Sequence, residues 1–142
     1  MDLVQLIYVS RLSPECDAVS LKSILDSSRA NNGKIGVTGI LCRDHHYFLQ
    51  CLEGSRETVN HLYATIMGDD RHSDVVMLQY REIDRREFAA WNMAFVSGNQ
   101  VGKKLALRYY SSPELDPYKM SGASAHGFLV DLAASWQGKL EE

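Results

Sequence analysis

Nothing in this sequence points to a basic surface, a membrane segment or a disulfide framework. Its 15 Lys and Arg against 18 Asp and Glu give a formal charge of −3 with no basic block, so neither nucleic acid nor anionic lipid is an expected partner. No apolar run approaches the roughly 20 residues of a membrane span, and the N-terminus opens into a strand pattern without a charged leader, so the expectation is a soluble, cytoplasmic protein. Cys16, Cys42 and Cys51 are an odd number at spacings that match no zinc or redox motif, and read as buried free thiols. His45, His46 and His61 lack a metal-ligand arrangement, so no metal is assigned. There is no internal repeat and no low-complexity run. What is present is 142 residues, 45% hydrophobic and 23% charged, enough for one globular domain that buries about two thirds of its unfolded surface.

The organising stretch is His46 to Gly54, HYFLQCLEG. Strand alternation sends Tyr47, Leu49 and Cys51 to one face and His46, Phe48, Gln50 and Leu52 to the other. Gln50 thus stands between two apolar side chains. An amide there is costly to bury unless its hydrogen bonds are met, which predicts a designated partner.

In chain order, Leu3 to Ser10 reads as a strand with Val4, Leu6 and Tyr8 on one face and Leu3, Gln5, Ile7 and Val9 on the other. A helix capped by Asp17 carries Ala18, Leu21, Ile24, Leu25 and Ser28 at helical spacing and is expected to stop near Asn31, Asn32 and Gly33. Ile35 to Cys42 follows as a strand whose Gly36 and Gly39 clear space for a close approach. Ser55 caps a second helix with an inner stripe of Val59, Leu62, Ile66 and Met67, ending at Gly68. A polar loop, Asp69 to His72, leads to a strand from Val75 to Ile83. Trp91 to Val96 reads as a fifth strand, with Trp91, Met93 and Phe95 on one face. Turn chemistry from Gly98 to Gly102 separates residues 1–97 from a tail of 98–142.

The order β-α-β-β-α-β-β predicts an α+β, ferredoxin-like sandwich: a five-stranded mixed sheet with two helices on one face. The first and third strands are then central neighbours, and Tyr8 and Gln50 lie side by side beneath the helices. Such a pair is a hydrogen-bond relay with two possible patterns, set by the amide's orientation. The opposite face, with Ile7, Val9, Leu49 and Cys51, also needs cover. The tail offers Val101, Leu105 and Tyr109 in one helix and Phe128, Leu129, Leu132, Ala133 and Trp136 in another, separated by Pro113 and Pro117.

Taken together, Tyr8, Ser28 to Asn32, the GVTGIL of Gly36 to Leu41, the FLQCLEG of Phe48 to Gly54, the DDRH of Asp69 to His72 and the WNM of Trp91 to Met93 resemble the BLUF domain, the sensor of blue light using FAD. The match runs through about residues 2 to 97 with every motif in order. The resemblance implies FAD between the two helices, its ring over the sheet. It implies that Tyr8 gives an electron and proton to the excited flavin and that Gln50 bridges Tyr8 to the flavin's N5 and O4 edge. It places Asn32 on the ring's carbonyl and amide edge with Asn31 and Ser28 nearby, and Arg71 and His72, supported by Asp69, near the polar rim and tail. Trp91 and Met93 match the strand-five pair that relays the signal; the resemblance does not say which of them faces the flavin.

Residues 98 to 142 are too short for a second catalytic domain, so the chain is expected to be a sensor, not an enzyme. Its tail helices are expected on the outer sheet face, where they would signal to a downstream protein and support homo-oligomerisation. The alternative from another class is a ferredoxin-like flavin-binding enzyme such as a flavin reductase. No G-x-G-x-x-G supplies a nicotinamide site for it. A small hydrolase of acylphosphatase type would need a phosphate-cradling loop after the first strand, which is missing. An RNA-binding sandwich would need exposed aromatic pairs and a basic surface.

Overall fold

A computed structural model describes residues 3–14, 16–44, 46–98, 101–111 and 116–135. The readings that involve His45, Pro113 and Trp136, and the side chains of Ala18 and Leu21, lie outside the described residues. Five strands, β1 (Leu3–Leu12), β2 (Thr38–Arg43), β3 (Tyr47–Ser55), β4 (His72–Glu82) and β5 (Ala94–Ser97), form one sheet in the order β4-β1-β3-β2-β5. All neighbours are antiparallel except β2 and β5, which run parallel. The helices are α1 (Ala18–Ile35), α2 (Arg56–Met67), α3 (Lys103–Tyr109) and α4 (Gly122–Ser135). This is the expected ferredoxin-like α+β architecture, with the first and third strands at its centre.

Alternation along β1 and β3 divides the core in two. Val4, Leu6, Tyr8, Phe48 and Leu52 join Leu25 of α1 and Val59 of α2 in an inner cluster. Ile7, Val9, Leu49 and Cys51 join Phe128, Leu129, Leu132 and Ala133 of α4 in an outer one, with Leu105 and Tyr109 of α3 packed against it. Both sheet faces are therefore covered, the outer one by the tail. All three cysteines are buried free thiols, and burial pushes the Cys42 thiol up to about 12, so they serve as packing.

Several boundaries differ from the sequence reading. The first helix passes through Asn31, Asn32 and Gly33 and ends at Ile35. The glycine that stops it is Gly36, at φ 71°, and Val37 N–H closes the turn on the Asn32 carbonyl at 2.9 Å. This is the six-residue capping bond of a helix that ends on a left-handed glycine. Gly36 is thus a stop signal, and β2 starts two residues after it, at Thr38 instead of Ile35. Gly39 does serve close approach: a Cβ there would lie 2.0 Å from the Cys51 carbonyl oxygen and 3.3 Å from the Met93 methyl.

Ser55 caps α2 as expected, accepting from Thr58 N–H at 3.2 Å. Met67, however, is 56% exposed and leaves the inner stripe to Val59, Leu62 and Ile66. The fourth strand begins earlier than expected, at His72, because pairing with Leu12 extends the ladder. The fifth begins later, at Ala94. Trp91 and Met93 precede it in irregular backbone, so strand alternation does not bind them. Trp91 packs with Phe88 in the outer cluster while Met93 and Phe95 belong to the inner one.

The two glycines give a graded test of these contacts. Gly39→Ala forces a methyl into backbone and should cost roughly 3 kcal/mol. Gly36→Ala, which meets no atom within 4 Å, should cost only about 1 kcal/mol for its left-handed backbone. Urea denaturation of both variants checks the order.

Candidate functional site

The antiparallel register sets Tyr8 of β1 directly opposite Gln50 of β3. Both are buried, at 3% and 6% exposure. The Tyr8 hydroxyl donates to Gln50 Oε1, and Gln50 Nε2 donates to the Met93 thioether at 3.2 Å. The amide thus has the designated partner that its position predicts, and one at each end. In this orientation the order is phenol to carbonyl, then amide N–H to sulfur. Turning the amide by half a rotation would place oxygen beside Met93 Sδ, which has no proton to give, so the Met93 bond exists in one pattern only. Burial pushes the Tyr8 phenol far above its ordinary value of 10.0, with smaller contributions from Tyr63 and Asp69, and keeps it protonated.

Above this pair, between α1 and α2, lies a cavity of about 190 Å³. Tyr8, Ser28, Asn31, Asn32, Gln50, Arg71 and His72 all line it. The sequence reading did not assign its apolar walls, Ile24, Leu41, Phe48, Leu52, Leu62 and Ile66, or the polar Ser27 and Thr65. The inward stripes of α1 and α2 were the available signal, since a stripe that faces a cavity has the same spacing as one that faces a core. Trp91 does not line the cavity.

The polar residues differ in what they have left to offer. Asn32 is 2% exposed and spends its Nδ2 on the Asn92 carbonyl at 2.9 Å, which leaves its Oδ1 as an acceptor. Asn31, at the mouth, has its amide uncommitted among the described residues. His72 is fully engaged: Nε2 donates to the Ile66 carbonyl at 2.7 Å, so Nδ1 accepts from Ser10 Oγ at 2.8 Å. Its ring, edge-on to Tyr8 and Phe48, is therefore a wall. At the rim Arg71 grips Asp69 through Nε and Nη2, and that hydrogen-bonded guanidinium holds the Asp69 carboxyl below the usual range.

A flat ring with apolar faces and a carbonyl and N–H edge matches this donor set: amides at one end, aliphatic side chains above and below. The residues fit a flavin. A family model described as "Sensors of blue-light using FAD" matches residues 3–94. The chain belongs to the BLUF family. The family is one of blue-light sensors that use FAD, and the flavin-reductase alternative finds no support.

Among relatives, the chain is 30% identical over 92 residues to the photoactivated adenylate cyclase subunit beta of Euglena longa, and 32% over 108 residues to subunit alpha of Euglena gracilis. These matches cover 64% and 75% of this chain but 11% of each relative. Among solved structures, the ground state of BlsA superposes with a TM-score of 0.87 at 29% identity, covering 97% of this chain and 92% of that one. The dark-state structure of the BLUF protein BlrB gives 0.79 at 30%, covering 94% and 97%. No helix among the described residues is long and apolar enough to cross a membrane.

The buried phenol makes a pH prediction. Titration of Tyr8 leaves stability independent of pH below the ordinary tyrosine value; above it only the unfolded chain releases the proton, so stability falls as the pH rises. In alkaline titration followed by the ultraviolet phenolate band, the wild type and Tyr8→Phe should show equal phenolate numbers until the unfolding step, where the wild type gains one more.

Proposed function

We propose that this chain senses blue light through the buried series Tyr8, Gln50 and Met93 and reports it through strand five to the tail helices. When bound, FAD supplies the blue absorption and, once excited, a strong oxidant. Ser28, Asn31 and Asn32 hold its polar edge, Arg71 stands at its rim and the ring of His72 closes one wall. Tyr8 Oη is the group whose proton leaves along its bond to Gln50 Oε1, because an oxidised phenol is a strong acid. While that bond is broken the amide is free to turn. Return of both the electron and the proton restores the phenol and leaves a rearranged Gln50 as the only record.

The observation that carries this reading is the pairing of Tyr8 and Gln50 at one register position, with Met93 on the amide's other end. Loss of the Nε2 donation frees the Met93 side chain, which sits one residue before β5. Residues 1–97 then act as the flavin-binding domain and 98–142 as the extension that reads it. The coverage of the outer face by α3 and α4 supports this division. The chain itself performs no catalysis on this reading. It works in the cytoplasm as a homo-oligomer and passes its state to a separate signalling protein, whereas relatives named as photoactivated cyclases carry the same domain within a longer chain. Trp91, on the outer face beside Phe88, would relay from β5 towards the tail without touching the cavity.

The test is the absorption spectrum of the purified protein in darkness and after blue light. The wild type should be yellow, shift slightly to the red and recover in darkness. Tyr8→Phe and Gln50→Leu should bind flavin yet lose the shift. Met93→Leu should keep the shift and lose most of the light-induced change in hydrogen exchange of α4. A protein that bleaches and consumes a reductant would overturn the sensor reading.

A further inference from the structure

The segment that presents Met93 is held by more than its side chain. Three successive carbonyls between Phe88 and β5 are each gripped by a different donor. Trp91 O accepts from Gly39 N–H of β2 at 3.1 Å. Asn92 O accepts from Asn32 Nδ2 at 2.9 Å, and Met93 O accepts from Arg29 Nε at 3.0 Å. Two of the three donors are side chains of α1, three residues apart and so neighbours on one helix face. One of these, Asn32, reaches into the cavity. The other, Arg29, does not line it.

We infer that Arg29 is a positioning residue which, together with Asn32, clamps the Asn92 and Met93 main chain to α1 and gives the cavity a second, main-chain route to strand five. β5 is only four residues long and pairs with β2 alone, so its ladder is a weak anchor. A guanidinium donating to a carbonyl is a charge-assisted bond, stronger than a neutral one. Arg29 therefore contributes a large share of what fixes the start of β5. The side-chain route through Gln50 acts on Met93 Sδ; the clamp acts on Met93 O and Asn92 O. A change of hydrogen bonding at Asn32 Oδ1 shifts an amide whose Nδ2 already holds Asn92 O, so α1 feels the cofactor edge and passes it to the same strand. This coupling rests on the sensor reading above, while the clamp itself does not.

The experiment is amide hydrogen exchange on the full flavin-loaded chain, in darkness and under blue light, with Arg29→Met and Arg29→Lys. Arg29→Met keeps length and apolar bulk without a donor. It should retain the flavin spectrum and its red shift, raise dark exchange at Ala94 to Val96 by about ten-fold, and shrink the light-minus-dark difference in α4. Arg29→Lys, which keeps charge and a donor in poorer geometry, should fall between. Unchanged dark exchange at Ala94 to Val96 in Arg29→Met overturns the clamp. Raised exchange with a full light response in α4 overturns the coupling. A wild type without any light-induced shift removes the sensor reading and the coupling with it, and the dark comparison then still decides the clamp.

Discussion

An amide buried at the centre of a sheet constrains everything around it. An unmet hydrogen-bonding group in such a place costs about 1–3 kcal/mol, and Gln50 has two ends to satisfy. The fold meets one from β1 and the other from the approach to β5, strands on opposite sides of β3. Satisfying this one side chain thus ties the middle of the sheet to its edge. The same amide is nearly symmetric in shape and opposite in polarity at its ends, so rotation changes bonding without changing packing. A core that resists volume changes still tolerates this one.

Much of this was legible in the sequence because period-two alternation assigns faces without reference to element ends. Counting puts Tyr8 and Gln50 on the helix face, and the four-residue spacing of Ser28 and Asn32 puts both on one stripe of the first helix, the stripe that faces the cavity. What counting cannot supply is the point where an alternation starts to apply. Asn31, Asn32 and Gly33 have stop-like chemistry, as does Gly36, and only the left-handed backbone at Gly36 and its capping bond to Asn32 decide between them. Trp91 and Met93 share parity, which argues for one face, but they precede the strand and fall on opposite sides of the sheet. Arg29 showed no signal, since a lone arginine on a helix with its head near a backbone carbonyl looks like any half-buried cation.

Glu53 is the outer-face counterpart of Gln50, and the same argument from alternation applies to it. It follows Leu49 and Cys51 on the outer face and is fully buried. Its carboxylate accepts from Gln5 Nε2, Thr38 Oγ1 and the backbone N–H groups of Glu87 and Phe88, at 2.9 to 3.1 Å. Arg86 adds bonds to Thr38 Oγ1, the Glu53 carbonyl and the Gly36 carbonyl. The connection from β4 to β5 is therefore pinned at its middle by Glu53 and Arg86 and at its end by Gly39, Asn32 and Arg29. A segment with little regular structure holds Met93 in place through charged and amide side chains.

On the proposed sensor reading, that arrangement gives a change at Met93 a polar path to the tail. Glu87, fastened to Glu53 through its own N–H, meets His126 of α4 at 2.5 Å and Arg81 of β4 at 3.0 Å through its carboxylate. Arg81 in turn lies 3.0 Å from the same His126 nitrogen. One ring nitrogen cannot accept from Arg81 and donate to Glu87 at once, so this contact, like Gln50, has two hydrogen-bond patterns. The inner face, the pinned loop and the tail helix are thus joined by polar groups with alternative hydrogen-bond patterns.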